Sequence, residues 1–344
     1  MTQRLEDLTR VEKTQRAEDI VRAAWPAWGG TVGSLRVLGD GFNTVFCGAS
    51  SAHGRVVVRV HRRDGRSVGA MGVEAQWLER LDGRGVQVPR LIRAATGAPY
   101  ATVETIDPTA PRWVSVFAWQ EGQTLAGHLN AANSETELIR RVGQLGALAA
   151  RLHADTSGFH ALDSEAARHD NVLGSNRDAL TQAGIPARLV EPLHAARTIC
   201  DATFAAAISQ PQQLCHADLH TGNALVYPDD SLGLIDFDDC ALMSPAYDLG
   251  IAVFYLGAFK DPDGLPPTGD AIERRVEAFA NGYAGMRPWP VTDEALLPFV
   301  IARQVYLLNL FAQDPNTDYE ADFLPYCERV ADRLEAWLSR GLYP

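Results

Sequence analysis

The sequence predicts an α+β protein in two parts, a small β-rich lobe followed by a larger and mainly helical one. Two observations carry that expectation. Between residues 31 and 119 the chain is cut into short segments rich in Val, Thr and aromatics, bounded by Gly, Asp or Pro, with one helical pattern among them. After Gly122 the apolar spacing changes to the 3.6-residue period and holds it, interrupted only around residues 214–236. The division is drawn as 1–118 and 119–344, with a ligand cleft expected between the lobes.

In chain order, Ala17, Ile20, Val21, Ala24 and Trp25 set a helix over 14–28, and Gly29 and Gly30 end it. Strands are expected over 31–38, 42–47, 55–61, 100–106 and 113–119. Val73, Trp77, Leu78 and Leu81 form one face of a helix over 68–81. Longer helices follow over 135–153, 186–207 and 246–259, and the turn-rich 264–269 precedes the last ones.

Composition removes several classes of function. The formal net charge of -12 disfavours nucleic-acid phosphates and anionic membrane, and mildly favours a cationic substrate, although acidity also serves solubility alone. Cys47, Cys200, Cys215, Cys240 and Cys327 are scattered without a CxxC pair, which suits a reducing cytoplasm and not a disulfide framework or zinc ribbon. The amino terminus is too polar for a signal peptide, and the apolar run 249–259 is too short to span a bilayer. The expectation is a cytoplasmic protein with no nucleic-acid, membrane or obligate protein partner. Lys13 and Lys260 are the only lysines and neither follows a glycine, so a Walker-type phosphate loop is excluded.

The chemistry concentrates in LCHADLHTGNALVYPDDSLGLIDFDD, residues 214–239. Two apolar segments, 224–227 and 232–235, flank a Pro-Asp-Asp-Ser turn and read as a hairpin. Such a hairpin gathers Asp218 and Asn223 before it with Asp236 after it. Phosphoryl transfer requires a carboxylate for the attacking hydroxyl and hard oxygen ligands for Mg²⁺. Asp218 suits the first role, with Gly222 permitting the turn, and Asn223 and Asp236 suit the second.

His216-Ala217-Asp218-Leu219-His220-Thr221-Gly222-Asn223 and Ile235-Asp236-Phe237-Asp238 resemble the catalytic loop and metal strand of the aminoglycoside phosphotransferase and choline kinase superfamily, which has a protein-kinase-like fold. The resemblance implies an ATP-dependent kinase, with GTP as the other candidate nucleotide and Mg²⁺ as cofactor. It implies Asp218 as the catalytic carboxylate, Asn223 and Asp236 as metal ligands, and Asp248 as a brace of the loop from a helix start. Gly39, Gly41, Asn43 and Thr44 resemble the nucleotide-covering turn, which alone also reads as a plain hairpin turn. Arg59 stands where the family usually has a phosphate-binding lysine; it keeps the charge but changes the geometry, and Glu74 is its expected partner, or else a solvated helix carboxylate. The segment 114–119, with Phe117 and Trp119, resembles the adenine-contacting hinge.

His216 and His220 suggest a zinc hydrolase by spacing, but Thr221-Gly222-Asn223 breaks the required helix and no HEXXH glutamate is present, so they are expected to order the loop. His153 reads as a packed helix end. Glu121, Asp238, Asp239 and Asp322 are candidates to face a cationic substrate, a small-molecule alcohol such as an amino-sugar, antibiotic or amino-alcohol. Two alternatives stand beside this reading. One is a bacterial stress-response Ser/Thr protein kinase, which the strand after Arg59 resembles; the other is a nucleotide-binding pseudoenzyme, against which the retention of all three oxygen-bearing residues speaks.

Overall fold

The computed structural model describes residues 5, 8–41, 43–62, 67–104, 111–132, 134–154, 167–168, 171–174, 176–210, 212–258, 260–261, 266–314 and 317–343. Expectations that rested on Phe42, on residues 63–66, on Thr105 and Ile106, on Phe259 and on Gly264 and Leu265 lie outside the described residues. The chain divides into two compact units, Met1–Glu121 and Gly122–Pro344.

The first unit opens with α1, Arg10–Ala24, whose start is fixed by a capping box: Thr9 accepts from Glu12 N–H while the Glu12 carboxylate reaches back to Thr9. The helix therefore begins four residues before the expected 14, because the cap is polar and the apolar periodicity starts only inside it. A 3-10 turn, Trp25–Trp28, ends at Gly29 with φ +73. Strands β1 (Arg36–Asp40), β2 (Thr44–Ser50) and β3 (Gly54–Val60) run as an antiparallel meander, and α2 (Val68–Gly83) follows, capped by Ser67. Then come β4 (Leu91–Ile92), β5 (Ala101–Val103) and β6 (Arg112–Ala118); the sheet order is β1-β2-β3-β6-β4, with β5 also on β6. Ile20, Val21, Trp25 and Trp28 pack on Phe46, Val58, Val114 and Val116, so α1 closes one face of the sheet. Of the strand expected over 31–38, only the part from Arg36 pairs along its length, and Val32 makes a single bridge to Ser50.

The second unit begins with β7 (Gln123–Thr124), α3 (Leu125–Asn130) and α4 (Glu135–Ala154). After β8 (Ala167–Arg168) and α5 (Ala187–Ile208) come β9 (Gln213–Cys215), β10 (Ala224–Val226), β11 (Leu232–Leu234) and β12 (Ala241–Met243). The expected hairpin is β10-β11, extended by β7, and β12 holds β8 and β9 in a second small sheet. Helices α6 (Pro245–Leu256), α7 (Gly269–Ala284), α8 (Asp293–Gln313) and α9 (Leu324–Arg340) complete the unit. β4, β7, β8 and β12 were not expected; at two or three residues each they show no alternation, and distant pairing alone makes them strands. By length and apolar composition α8 alone among the described residues could cross a membrane, but 61% of its apolar window is buried inside this unit.

α4 and α7 meet backbone to backbone. A Cβ on Gly146 would stand 1.9 Å from the Phe279 carbonyl oxygen, and one on Gly282 would stand 1.9 Å from the Gly143 carbonyl oxygen. Neither neighbour is a movable side-chain tip, so the helices must separate to admit a methyl. Gly282→Ala is expected to lower unfolding stability by roughly 2–3 kcal/mol in urea titration. Gly72→Ala in α2, where a Cβ meets nothing within 4 Å, is expected to raise it by about 0.5–1 kcal/mol.

Candidate active site

The hairpin sets the geometry of the candidate site. Tyr227 N–H donates to the Ser231 carbonyl at 2.9 Å to close the turn, and Ile235 N–H donates to the Asn223 carbonyl at 2.8 Å at the open end. Asp236 thus follows directly on the residue paired with Asn223. Its backbone is left-handed, φ 63, which turns the chain into the 3-10 segment Phe237–Asp239 and leaves Asp236 exposed. The outer end of the hairpin is tied to α4, where Arg140 and Arg141 both pair with Asp230.

The loop from Cys215 to Asn223 is held from below by Asp248, which is fully buried in the first turn of α6. Its Oδ2 accepts from His216 N–H at 2.8 Å and its Oδ1 from Ala217 N–H at 2.7 Å. His153 Nε2 lies 3.0 Å from Asp248 Oδ2, and its Nδ1 meets the Tyr283 hydroxyl at 3.1 Å, so this histidine is a buried link between α4, α6 and α7. Cys215 sits beside them, with the three donor atoms within 4.8 Å of one another. Burial pushes its thiol well above the ordinary range, and hydrogen bonds already engage the other two, so the trio is structural.

Asp218 emerges after Ala217, a residue held at φ 62. Its Oδ2 accepts from Asn223 Nδ2 at 2.7 Å and its Oδ1 from Arg303 Nη2 at 2.5 Å. His220 Nδ1 accepts from Gly222 N–H at 2.9 Å, so Nε2 carries the hydrogen and faces Asp218 Oδ2 at 3.4 Å, while the ring stacks on Tyr255 at 4.3 Å. Burial alone would raise the Asp218 pKa. The Arg303 charge and the hydrogen bond from His220 outweigh it and hold the carboxyl well below the usual range. His216 joins the two motifs: Nδ1 accepts from Asp218 N–H at 3.3 Å, and Nε2 donates to the Ile235 carbonyl at 3.0 Å. Gly222 lies in the turn closed by Asn223 N–H on the His220 carbonyl at 2.9 Å, as expected, but its φ is not in the left-handed region. A Cβ there would stand 2.6 Å from His220 Cε1, so what excludes a side chain is the histidine ring.

Because Asn223 commits its amide nitrogen to Asp218, its Oδ1 is the atom left for a cation. That carbonyl and the exposed Asp236 carboxylate are hard oxygen donors on paired chain segments, a set that fits Mg²⁺. Asp238 and Asp239 follow in the 3-10 segment, half-buried, and the Asp239 charge adds to the burial that raises the Tyr247 and Tyr306 hydroxyls above the ordinary range.

Apart from Asp322, the remaining expected residues lie in the first unit. Arg59 Nη1 meets Glu74 Oε1 at 2.8 Å with both side chains buried, and the guanidinium lies 5.0 Å over the Phe117 ring. At the β1-β2 turn, Thr44 Oγ1 donates to Asp40, Asn43 Oδ1 accepts from Arg62 N–H, and a Cβ on Gly39 or Gly41 would meet nothing within 4 Å. Trp119 carries the Arg55 guanidinium at 4.2 Å over its ring, and Arg55 pairs with the exposed Glu121 at 2.6 Å. In the second unit, Asp322 is exposed and accepts from Asp318 N–H within its own turn.

Two cations here were not expected. Arg303, 85 residues beyond Asp218, is buried on α8, and Lys13 on α1 bridges Asp40 at 2.9 Å and the Gly41 carbonyl at 3.2 Å. The sequence does carry a signal for Arg303: a lone charge inside PFVIARQVYLL, where an unpaired cation is costly.

The family described as "Phosphotransferase enzyme family" matches residues 34–289. A homoserine kinase of Methylobacterium radiotolerans is 29% identical over 247 residues, 68% of each chain. Among solved structures, a microcompartment-associated aminopropanol kinase matches with TM-score 0.75 and 23% identity over 95% of this chain and 99% of that one. An amicoumacin kinase solved with AMP-PNP, Ca²⁺ and Ami matches with TM-score 0.74 and 17% identity over 94% and 96%. These two likenesses establish the kinase-like α+β fold.

Asp248→Ala removes the acceptor of two buried N–H groups and is expected to cost about 3–5 kcal/mol in denaturant unfolding, with Asp248→Asn losing less. A second outcome follows from the depressed Asp218 pKa. Its stabilisation is present above the unfolded value of about 4 and is lost as pH falls toward the lower native one. Between pH 5 and pH 3 in metal-free buffer, the urea midpoint of the wild type should therefore drop more than that of Asp218→Asn.

Proposed function

The chain belongs to the phosphotransferase enzyme family, and on that premise we propose that it moves the γ-phosphoryl group of ATP, with Mg²⁺, onto the hydroxyl of a small amine-bearing molecule. The observation that supports this reading is the Asn223–Asp218 side-chain hydrogen bond at 2.7 Å together with the Ile235 N–H bond to the Asn223 carbonyl, which sets Asp236 one residue beyond that pairing. Asn223 Oδ1 and the Asp236 carboxylate hold the metal. Bound there, Mg²⁺ neutralises phosphate charge during transfer. In the first unit taken by itself, Arg59, fixed by Glu74, and the β1-β2 turn are the groups that would contact nucleotide phosphates.

Asp218 accepts a hydrogen bond from the acceptor hydroxyl and aims its oxygen at the γ-phosphorus. The new O–P bond forms as the bond to the β-phosphate oxygen breaks, ADP departs, and the hydroxyl proton passes to the Asp218 carboxylate and then to water. A carboxylate with so low a pKa is a weak base, so its contribution is orientation with late proton transfer, which suits a loose phosphoryl transition state. The net charge of -12 and the acidic pair Asp238 and Asp239 support an acceptor that carries an amine.

The test is a coupled ADP-release screen over amino-alcohols, hydroxy amino acids, amino-sugars and aminated antibiotics. Asp218→Asn is expected to lower kcat by about 10²–10⁴-fold, and Asp236→Ala to abolish magnesium-dependent turnover. Full magnesium-dependent turnover by Asp236→Ala would reject the mechanism, and radiolabel from ATP on protein serine or threonine with no phosphorylated metabolite would reject the acceptor class.

A further inference from the structure

Arg303 has more donors than the protein uses. Its side chain is 6% exposed, in the apolar middle of α8. Of its three nitrogens only Nη2 is engaged, with Asp218 Oδ1 at 2.5 Å and the Tyr255 hydroxyl at 3.0 Å. Nε is buried without a partner, and Nη1 makes no hydrogen bond among the described residues. The Tyr255 and Tyr306 rings each lie 5.3 Å from the guanidinium carbon, which fixes the group while occupying none of its N–H donors.

Leaving a buried donor unmade costs about 1–3 kcal/mol, and a guanidinium in that condition beside a reactive carboxylate is a receptor for an acceptor atom. Both two-pronged edges of the guanidinium include Nη2, so what remains for an incoming group is the single N–H donors of a positive charge, which suit an anionic oxygen such as that of a carboxylate. A polycationic amino-sugar brought to Asp218 would instead meet a like charge at this position.

We propose that Arg303 is a substrate-binding residue that receives a carboxylate carried by the same molecule whose hydroxyl meets Asp218, so the acceptor is a hydroxy amino acid and not a carboxylate-free amino-alcohol or amino-sugar. This rests on the reading of Asp218 as the group that meets the acceptor hydroxyl. One guanidinium then addresses both ends of a short molecule, holding the carboxylate of Asp218 through Nη2 and the carboxylate of the acceptor through its remaining donors.

Three pairs of probes differ only in the carboxylate: serine and ethanolamine, threonine and 1-aminopropan-2-ol, homoserine and 3-aminopropan-1-ol. With magnesium and ATP, the full chain is expected to favour the acid in at least one pair by roughly 100-fold in kcat/KM, as a site built for a charged group rejects its absence. Arg303→Met should bring that ratio below about 5 by removing the charge-assisted bond, while Arg303→Lys keeps an intermediate value. Nucleotide affinity, measured by displacement of a fluorescent ATP analogue, should stay within about twofold in both variants, since uniform binding is untouched. In the presence of AMP-PNP, the favoured acid should raise the Tm of the wild type and not that of Arg303→Met. Preference for the carboxylate-free member, turnover confined to amino-sugars, an equal fall with both members in Arg303→Met, or neither turnover nor thermal stabilisation with any acid would each overturn the proposal. Loss of nucleotide binding in the wild type would remove the kinase reading itself and the proposal with it.

Discussion

One buried carboxylate holds the loop on which the candidate site depends. Between Cys215 and Asp218 the chain bends, with Ala217 at φ 62, a conformation that costs an L-residue about 1–2 kcal/mol. Asp248 compensates by accepting from both successive amides, His216 and Ala217. A carboxylate with no solvent exposure would be intolerable alone. His153 supplies a further contact and passes the link to Tyr283. The direction in which Asp218 emerges is thereby set by groups from α4, α6 and α7, and the two motifs are then joined at the level of side chains by His216, which reaches from the loop to the Ile235 carbonyl. The small residue at position 217 also becomes intelligible: at φ 62 a methyl is tolerable and a larger or branched side chain is strained.

Much of this was legible because it was local. The hairpin followed from two apolar segments around Pro-Asp-Asp-Ser, and α2 and α4 from apolar spacing, since each of those signals lies within the element it predicts. The Arg59 and Glu74 contact followed from a strand and a helix face close in sequence. What escaped was non-local or polar. β12 is three residues whose only reason to be extended is pairing with β8 and β9, and the start of α1 is written in Thr9 and Glu12, outside the apolar period. Gly222 does lie in a turn, as glycine usually does, but the reason a side chain is excluded there, a histidine ring two residues earlier, could not be read from the sequence. Arg303 lies on a different helix from everything it serves. An apolar helix with one arginine at its centre carries a message all the same, because burying that charge is affordable only against a specific counter-charge.

The electrostatics of the loop follow from this division of labour. Asp218 is bracketed by Asn223 on one oxygen and Arg303 on the other, with His220 beside them. Those contacts immobilise the carboxylate and lower its basicity together, so orientation and base strength cannot be tuned independently here. A reaction that demanded early proton abstraction would be poorly served by such a group. Phosphoryl transfer through a loose transition state tolerates it, since little charge develops on the attacking oxygen until late. The proposed chemistry and the observed hydrogen bonding are therefore mutually consistent.

The placing of Lys13 bears on the first unit in the same way. Lys13 is placed where one compact ammonium must meet the Asp40 carboxylate and the Gly41 carbonyl at 2.9 and 3.2 Å, a bent pair of acceptors that a point charge satisfies more easily than a planar fork. Thr44 also binds Asp40, so the turn between β1 and β2 is anchored to α1 through a single side chain. Arg59 faces the opposite requirement. On β3 it has Glu74 on one nitrogen and the Phe117 ring under its plane, and a flat, delocalised cation can use both at once, where an ammonium would lose the stacking surface. If Arg59 serves the nucleotide phosphates, its orientation is already fixed before nucleotide arrives, and the departure from the usual lysine reads as a change in how the cation is held and not as loss of the charge.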